Sequence, residues 1–97
     1  MPTYIALLRY TPQGIKAIKD ATKRREAAAK AIEGLGGKLV HTYMTLGRYD
    51  AVAIVEAPDD EAAAKFALMT GMQGNVSTET LRAFPEADYD RLLKALP

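Results

Sequence analysis

Residues 38–57 read KLVHTYMTLGRYDAVAIVEA, two strand-like runs in succession with no helix between them. Lys38 to Leu46 alternates in polarity. Leu39, His41, Tyr43 and Thr45 fall on one side, and Val40, Thr42, Met44 and Leu46 on the other. The second set is the more apolar and is expected to face the helices. Asp50 to Ala57 is a second run of small and β-branched residues. Gly47-Arg48-Tyr49-Asp50 bends the chain between them, where a plain Asn-Gly turn would have sufficed.

The segments on either side of this hairpin are helical and are themselves bounded by strands. Upstream, Tyr4 to Tyr10 (YIALLRY) is a short run apolar on both faces, which predicts a central strand. Thr11 is placed to cap a following helix, and Pro12 suits its first turn. From Gln13 the spacing turns helical, with Ile15, Ile18, Thr22, Ala29 and Ile32 on one face. Alanines at 27–29 and 31 favour helix, and Gly34, Gly36 and Gly37 stop it, one of them as a left-handed cap. Downstream, Pro58-Asp59 opens a second helix that runs to about Thr70 and carries Ala62, Phe66 and Met69 as its stripe. Gly71 and Gly74 close it. Val76 to Phe84 predicts a fourth strand, and Pro85 starts a short last helix whose Tyr89, Leu92, Leu93 and Leu96 need a surface to cover them. The order β-α-β-β-α-β plus a helix predicts an α+β, ferredoxin-like domain over residues 1–97. It would have one four-stranded antiparallel sheet and both long helices on one face.

Such a sheet leaves its second face bare. Apolar and aromatic residues spread over several strands would form a patch that a lone soluble chain rarely carries, so a second copy packing sheet to sheet is expected. The second strand or the last helix would then reach across to the partner.

Composition narrows the function classes. Ninety-seven residues allow one domain with a modest core. Forty-eight per cent hydrophobic content belongs to a globular chain, and a net charge of +1 gives no sign of a nucleic-acid or membrane partner. Without cysteine there is no disulfide and no thiolate chemistry. No signal peptide and no span of about 20 apolar residues is read. The expected location is the cytoplasm.

Gly47-Arg48-Tyr49-Asp50 resembles the Gly-x-Tyr-Asp signature of the GYD-domain family. LLRYTPQGIKAIKDATKR looks like that family's strand-turn-helix opening, VEAPDDEAAAKFAL its third strand and second helix, and GNVSTETLRAF its last strand. The resemblance covers nearly the whole chain. It implies a ferredoxin-like domain of the dimeric α+β barrel type and no particular reaction. One departure is Arg25, near the core-facing stripe where the family pattern has an apolar residue. Either its stem snorkels to the edge or the helix is rotated from this reading.

Candidate site residues are few. In the motif, glycine bends, tyrosine packs its ring and aspartate ties turn amides. The functional reading puts Tyr49 and Asp50 on a pocket rim. His41, the only histidine, stands beside Tyr43 and has the one side chain that titrates near neutrality. Ser77, His41 and Asp50 make no convincing triad, for no nucleophile elbow surrounds Ser77. Asp59, Asp60 and Glu61 sit at a helix start and read as caps. Glu79, a charge within a strand, calls for Arg82, Arg9 or a neighbouring subunit. Lys16, Lys19, Lys23 and Lys30 form a solvated face. Arg24 points away from the predicted core stripe and is free for a partner or an anionic ligand. RYDAVAIVE lacks the aromatic series of an RNA-reading sheet, and GMQG fits neither a dinucleotide nor a phosphate loop. No metal and no cofactor is expected.

The leading expectation is a small homo-oligomer with a ligand-binding or regulatory role. Tyr43, His41 and Tyr49 would line the pocket, with Asp50 and Arg24 as polar anchors. The alternative is a cofactor-free enzyme of the dimeric barrel type, monooxygenase- or isomerase-like, with His41 shuttling a proton. A third possibility is a purely structural assembly unit.

Overall fold

A computed structural model describes all of residues 1–97. The strands are β1 (Thr3–Tyr10), β2 (Lys38–Met44), β3 (Ala51–Glu56) and β4 (Val76–Ala83). The helices are α1 (Pro12–Lys16), α2 (Ala21–Gly34), α3 (Asp60–Met72) and α4 (Glu86–Lys94). The sheet order is β2-β3-β1-β4, every neighbouring pair antiparallel, which is compatible with a ferredoxin-like fold. No helix is long and apolar enough to cross a membrane.

The caps fall where side-chain chemistry places them. Thr11 Oγ1 accepts from the Gly14 amide at 3.0 Å with Pro12 at the first helical position. Asp59 Oδ1 accepts from the Ala62 amide at 2.8 Å. Gly36, at φ +85°, supplies the left-handed turn after α2.

Two details depart from the sequence reading. The stretch from Gln13 to Gly34 is not one helix: α1 ends at Lys16, a 3-10 turn spans Ile18–Asp20, and α2 starts at Ala21. The break resets the helical phase, so Ile15 is 53% exposed and Thr22 faces water, while Ile32 is fully buried. In β2 the register shifts between Leu39 and His41. Leu39 pairs with Val55 and so faces the helices, whereas His41 and Tyr43 pair with Ile54 and Val52 on the opposite face. The extra residue, Val40, is a β-bulge, and it moves Leu39 to the face opposite the one alternation gives it.

The core is a thin layer between sheet and helices. Tyr4, Ala53, Val55 and Ala57 meet Ile32, Ala62 and Ala63, with Leu8, Leu39 and Phe66 at its margin. The Tyr4 hydroxyl donates to Asp60 Oδ1 at 2.5 Å, and Arg82 lies over the ring at 5.7 Å from its centre. Burial, then the hydrogen bond to the Asp60 carboxylate, pushes the Tyr4 phenol up to about 12.

At one end of the sheet, α1 clasps the turn between α3 and β4. Thr11 donates its amide to Asn75 O at 3.1 Å and its hydroxyl to Gly74 O at 2.6 Å. Gly14 is buried against this turn: a Cβ there would stand 1.9 Å from the Asn75 carbonyl oxygen. Gly14→Ala is therefore expected to destabilise the protein by about 2–3 kcal/mol, since both sides of the clash are backbone. Urea unfolding of the two proteins measures it. A second expectation concerns alkali. Folding holds the Tyr4 phenol protonated, so its contribution is complete below pH 10, the ordinary value, and is lost as pH rises towards 12. Denaturant midpoints across that window should fall more steeply for the wild type than for Tyr4→Phe.

Candidate functional site

The helices that cover the sheet do so unevenly. α2 lies over β2 and α3 lies over β4, and the two helices touch each other sparingly. Between them, above β1 and β3, is an open cavity of about 310 Å³. Its existence follows from side-chain size. Ala21, Ala28 and Ala31 of α2 face it from above, and Ala51 and Ala53 of β3 form its floor. Small residues opposite small residues leave the interlayer space unfilled. Phe66 and Met69 of α3 make the far wall, and Gln73 and Asn75 bring polar groups from the clasped turn.

Two guanidinium side chains border this cavity, Arg24 and Arg25, and no carboxylate does. Arg24 does not point away from the core. It is half-buried, and its Nη1 donates to Ala17 O at 2.8 Å and its Nη2 to Gly14 O at 3.4 Å. It thus satisfies carbonyls freed where α1 ends and the chain breaks phase. Arg25 is exposed, with no hydrogen bond or ion pair. The two ion pairs of the molecule are Lys65–Glu61 and Arg91–Asp88.

The Gly47–Asp50 bend lies outside the cavity and ties three strands together. Gly47 takes φ +112°. The Thr45 hydroxyl donates to Tyr49 O at 2.6 Å, and the Thr45 amide to Asp50 O at 3.0 Å. Asp50 then grips the end of β1 twice. Its amide donates to Leu8 O and its Oδ2 accepts from the Tyr10 amide, both at 2.8 Å. Tyr49 reaches the other side of β1, where its hydroxyl donates to Glu79 Oε2 at 2.5 Å. The Arg9 guanidinium lies over its ring at 5.0 Å, and Arg9 Nε donates to Arg48 O at 3.0 Å. The Glu79 carboxylate holds the Tyr49 phenol above its ordinary value.

The sheet's second face is uncovered. Ile5 and Leu7 of β1 pair with Ile54 and Val52 of β3 and with Leu81 and Glu79 of β4. His41 and Tyr43 flank them from β2, their rings 5.9 Å apart. α4 does not cover this face: it carries Tyr89, Leu92 and Leu93 exposed, with Leu96 exposed just beyond its end, and no residue of the helix is buried.

The five expected site residues therefore divide. Arg24 and the Tyr43 segment of β2 border the cavity. His41 is next door on the bare face and borders a shallow groove with Arg25 and Glu26. Tyr49 and Asp50 belong to the motif bend. Arg25 is the charged cavity residue that the sequence reading did not place in the site. The series Ala21, Arg24, Arg25, Ala28, Ala31, Ile32 carries the signal, being helical spacing counted from Ala21 rather than from Ile15. No group of three or more His, Cys, Asp or Glu side chains is arranged to hold a metal ion.

Comparison with known proteins agrees with this architecture. A protein of Thermus thermophilus named glutamine synthetase and cystathionine beta-lyase binding protein is 36% identical over 95 residues, covering 97% of this chain and all of the relative. The crystal structure of TTHA0845, also from Thermus thermophilus, superposes with a TM-score of 0.54 at 29% identity, over 87% of this chain and 94% of that one. The GYD domain profile matches residues 4–93, so the chain belongs to the GYD domain family.

Proposed function

We propose that this GYD domain is a small homo-oligomeric binding protein with a regulatory role. It pairs with a second copy through the bare sheet face in the dimeric α+β barrel manner. It holds a small, partly apolar molecule between sheet and helices, and it acts on other proteins rather than through covalent chemistry of its own. The observation that carries the reading is surface. Nine of 97 residues are buried, and fourteen large hydrophobic side chains are exposed. The accessible area of 6778 Å² is about 1,300 Å² more than a compact chain of this mass presents. A standard interface buries about 800 Å² per partner, so the surplus is of the right order for one or two contacts.

Two surfaces would share them. The Ile5, Leu7, Ile54 and Leu81 face is apolar at its centre, with His41 and Tyr43 at one edge and Arg9, Tyr49 and Glu79 at another. It has the composition of an interface with a polar rim. In this arrangement His41, Tyr43 and Tyr49 serve the subunit contact, while Arg24 serves the cavity and Asp50 fixes the bend between them. The stripe of α4 is the second surface, able to reach a neighbouring subunit or a protein partner. The Thermus relative's name, that of a protein binding two enzymes, supports a protein-binding role for this chain as well.

Light scattering after size exclusion tests the assembly. The wild type is expected as a dimer or a multiple of one, and Ile54→Glu with Leu81→Glu as a monomer of lower Tm. A monomeric wild type would remove the sheet-to-sheet contact. Glutamine synthetase and cystathionine beta-lyase from the same host are the partners to try first. Co-elution with either, reduced when Leu92 and Leu93 are changed to Ser, would place α4 in the contact.

A further inference from the structure

The cavity has a charge preference that its apolar walls conceal. Two cations border it and no anion does, although the chain carries nearly equal numbers, 13 Lys and Arg against 12 Asp and Glu. Arg24 is partly engaged by the Ala17 and Gly14 carbonyls. Arg25 has no partner of any kind, yet stands one residue further along the same helix at the mouth of the same cavity. An exposed arginine needs no partner when it is alone on a surface. Beside an alanine-walled recess it is the one full charge whose donors are all free to meet the polar end of whatever enters.

We propose that the cavity binds a small amphiphilic anion, its apolar tail between Ala28, Ala31, Ala53 and Phe66 and its carboxylate on the guanidinium of Arg25. Deepening the reading of the cavity as a ligand site, and resting on it, this inference names the ligand's class. The tail class follows from the walls. Fourteen of twenty bordering residues are hydrophobic, and a volume of about 310 Å³ is at the lower end for a ligand pocket, enough for a short alkyl chain or one ring system. The head class follows from geometry. A guanidinium presents a planar fork of donors that a carboxylate accepts two at a time, and an alcohol or an amine has no equivalent fit. Arg24, with three of its five donors uncommitted to the two carbonyls, adds positive potential behind Arg25 without having to move. Thr42 and Thr70 offer hydroxyls along the border for further polar contact.

The presence of Arg25 beside the alanines of this helix gains a purpose in this arrangement. An apolar residue there would widen the greasy wall and accept any hydrophobic guest. Arginine selects among guests by the sign of the head group.

Calorimetric titration of the intact protein with octanoate and with octanol tests the proposal, the two probes sharing a tail and differing in the head. Octanoate is expected to bind about tenfold more tightly than octanol, as one charge-assisted bidentate contact warrants. Arg25→Ala should bring the two within about twofold by weakening octanoate alone. Ala28→Leu, which fills the recess, should weaken both. Equal affinity of the probes for the wild type overturns the anion inference and leaves the cavity reading standing. A preference for octanoate that survives in Arg25→Ala overturns the assignment to that residue. Failure of both probes to bind overturns the inference together with the cavity reading beneath it.

Discussion

Two helices can cover one face of a four-stranded sheet and no more, and the rest of this molecule answers to that constraint. The covered side holds the few buried residues, Tyr4, Val55 and Ile32 among them. The bare side presents Ile5, Leu7, Ile54 and Leu81 in register across three strands. Burial on the covered side is itself thin, because α2 and α3 stand apart over alanines instead of closing over large side chains. The gain from the chain's own interior is correspondingly small.

The Gly47–Asp50 motif organises that two-sided layer. A simple two-residue turn would join β2 to β3 and do nothing further. The longer bend lets Asp50 bond the Leu8 carbonyl and the Tyr10 amide, so the edge hairpin is fastened to the end of the central strand. It also carries Tyr49 across to Glu79 on β4, with Arg9 of β1 stacked on the ring. One short segment thus touches β1 and β4 as well as the strands it connects. Glycine is needed for the backbone, aspartate for the carboxylate that takes the Tyr10 amide, and tyrosine for reach.

Much of the architecture was legible in the residues. The hairpin between two helices, the caps at Thr11 and Asp59, and the succession of elements along the chain all rest on local chemistry. Tertiary contacts decided what was not legible. The helix breaks after Lys16 because α1 is pinned to the Asn75 turn and Arg24 can satisfy the carbonyls the break exposes, neither of which is visible in a window of sequence. The bulge at Val40 belongs to a pair of strands and not to either alone. Helical phase counted from Ile15, across that break, turns Arg24 away from the core, whereas phase counted from Ala21 brings it to the cavity. The cavity itself was hidden by a double meaning: alanines at 28 and 31 are strong helix formers, and here they are also the residues that leave room.

A recess walled by alanine is also easy to remodel. Each wall position can take a larger side chain through a single replacement, and no alanine methyl carries a hydrogen bond or a charge on which the fold depends. The volume of the recess can therefore change from one sequence to the next while the scaffold around it stays put.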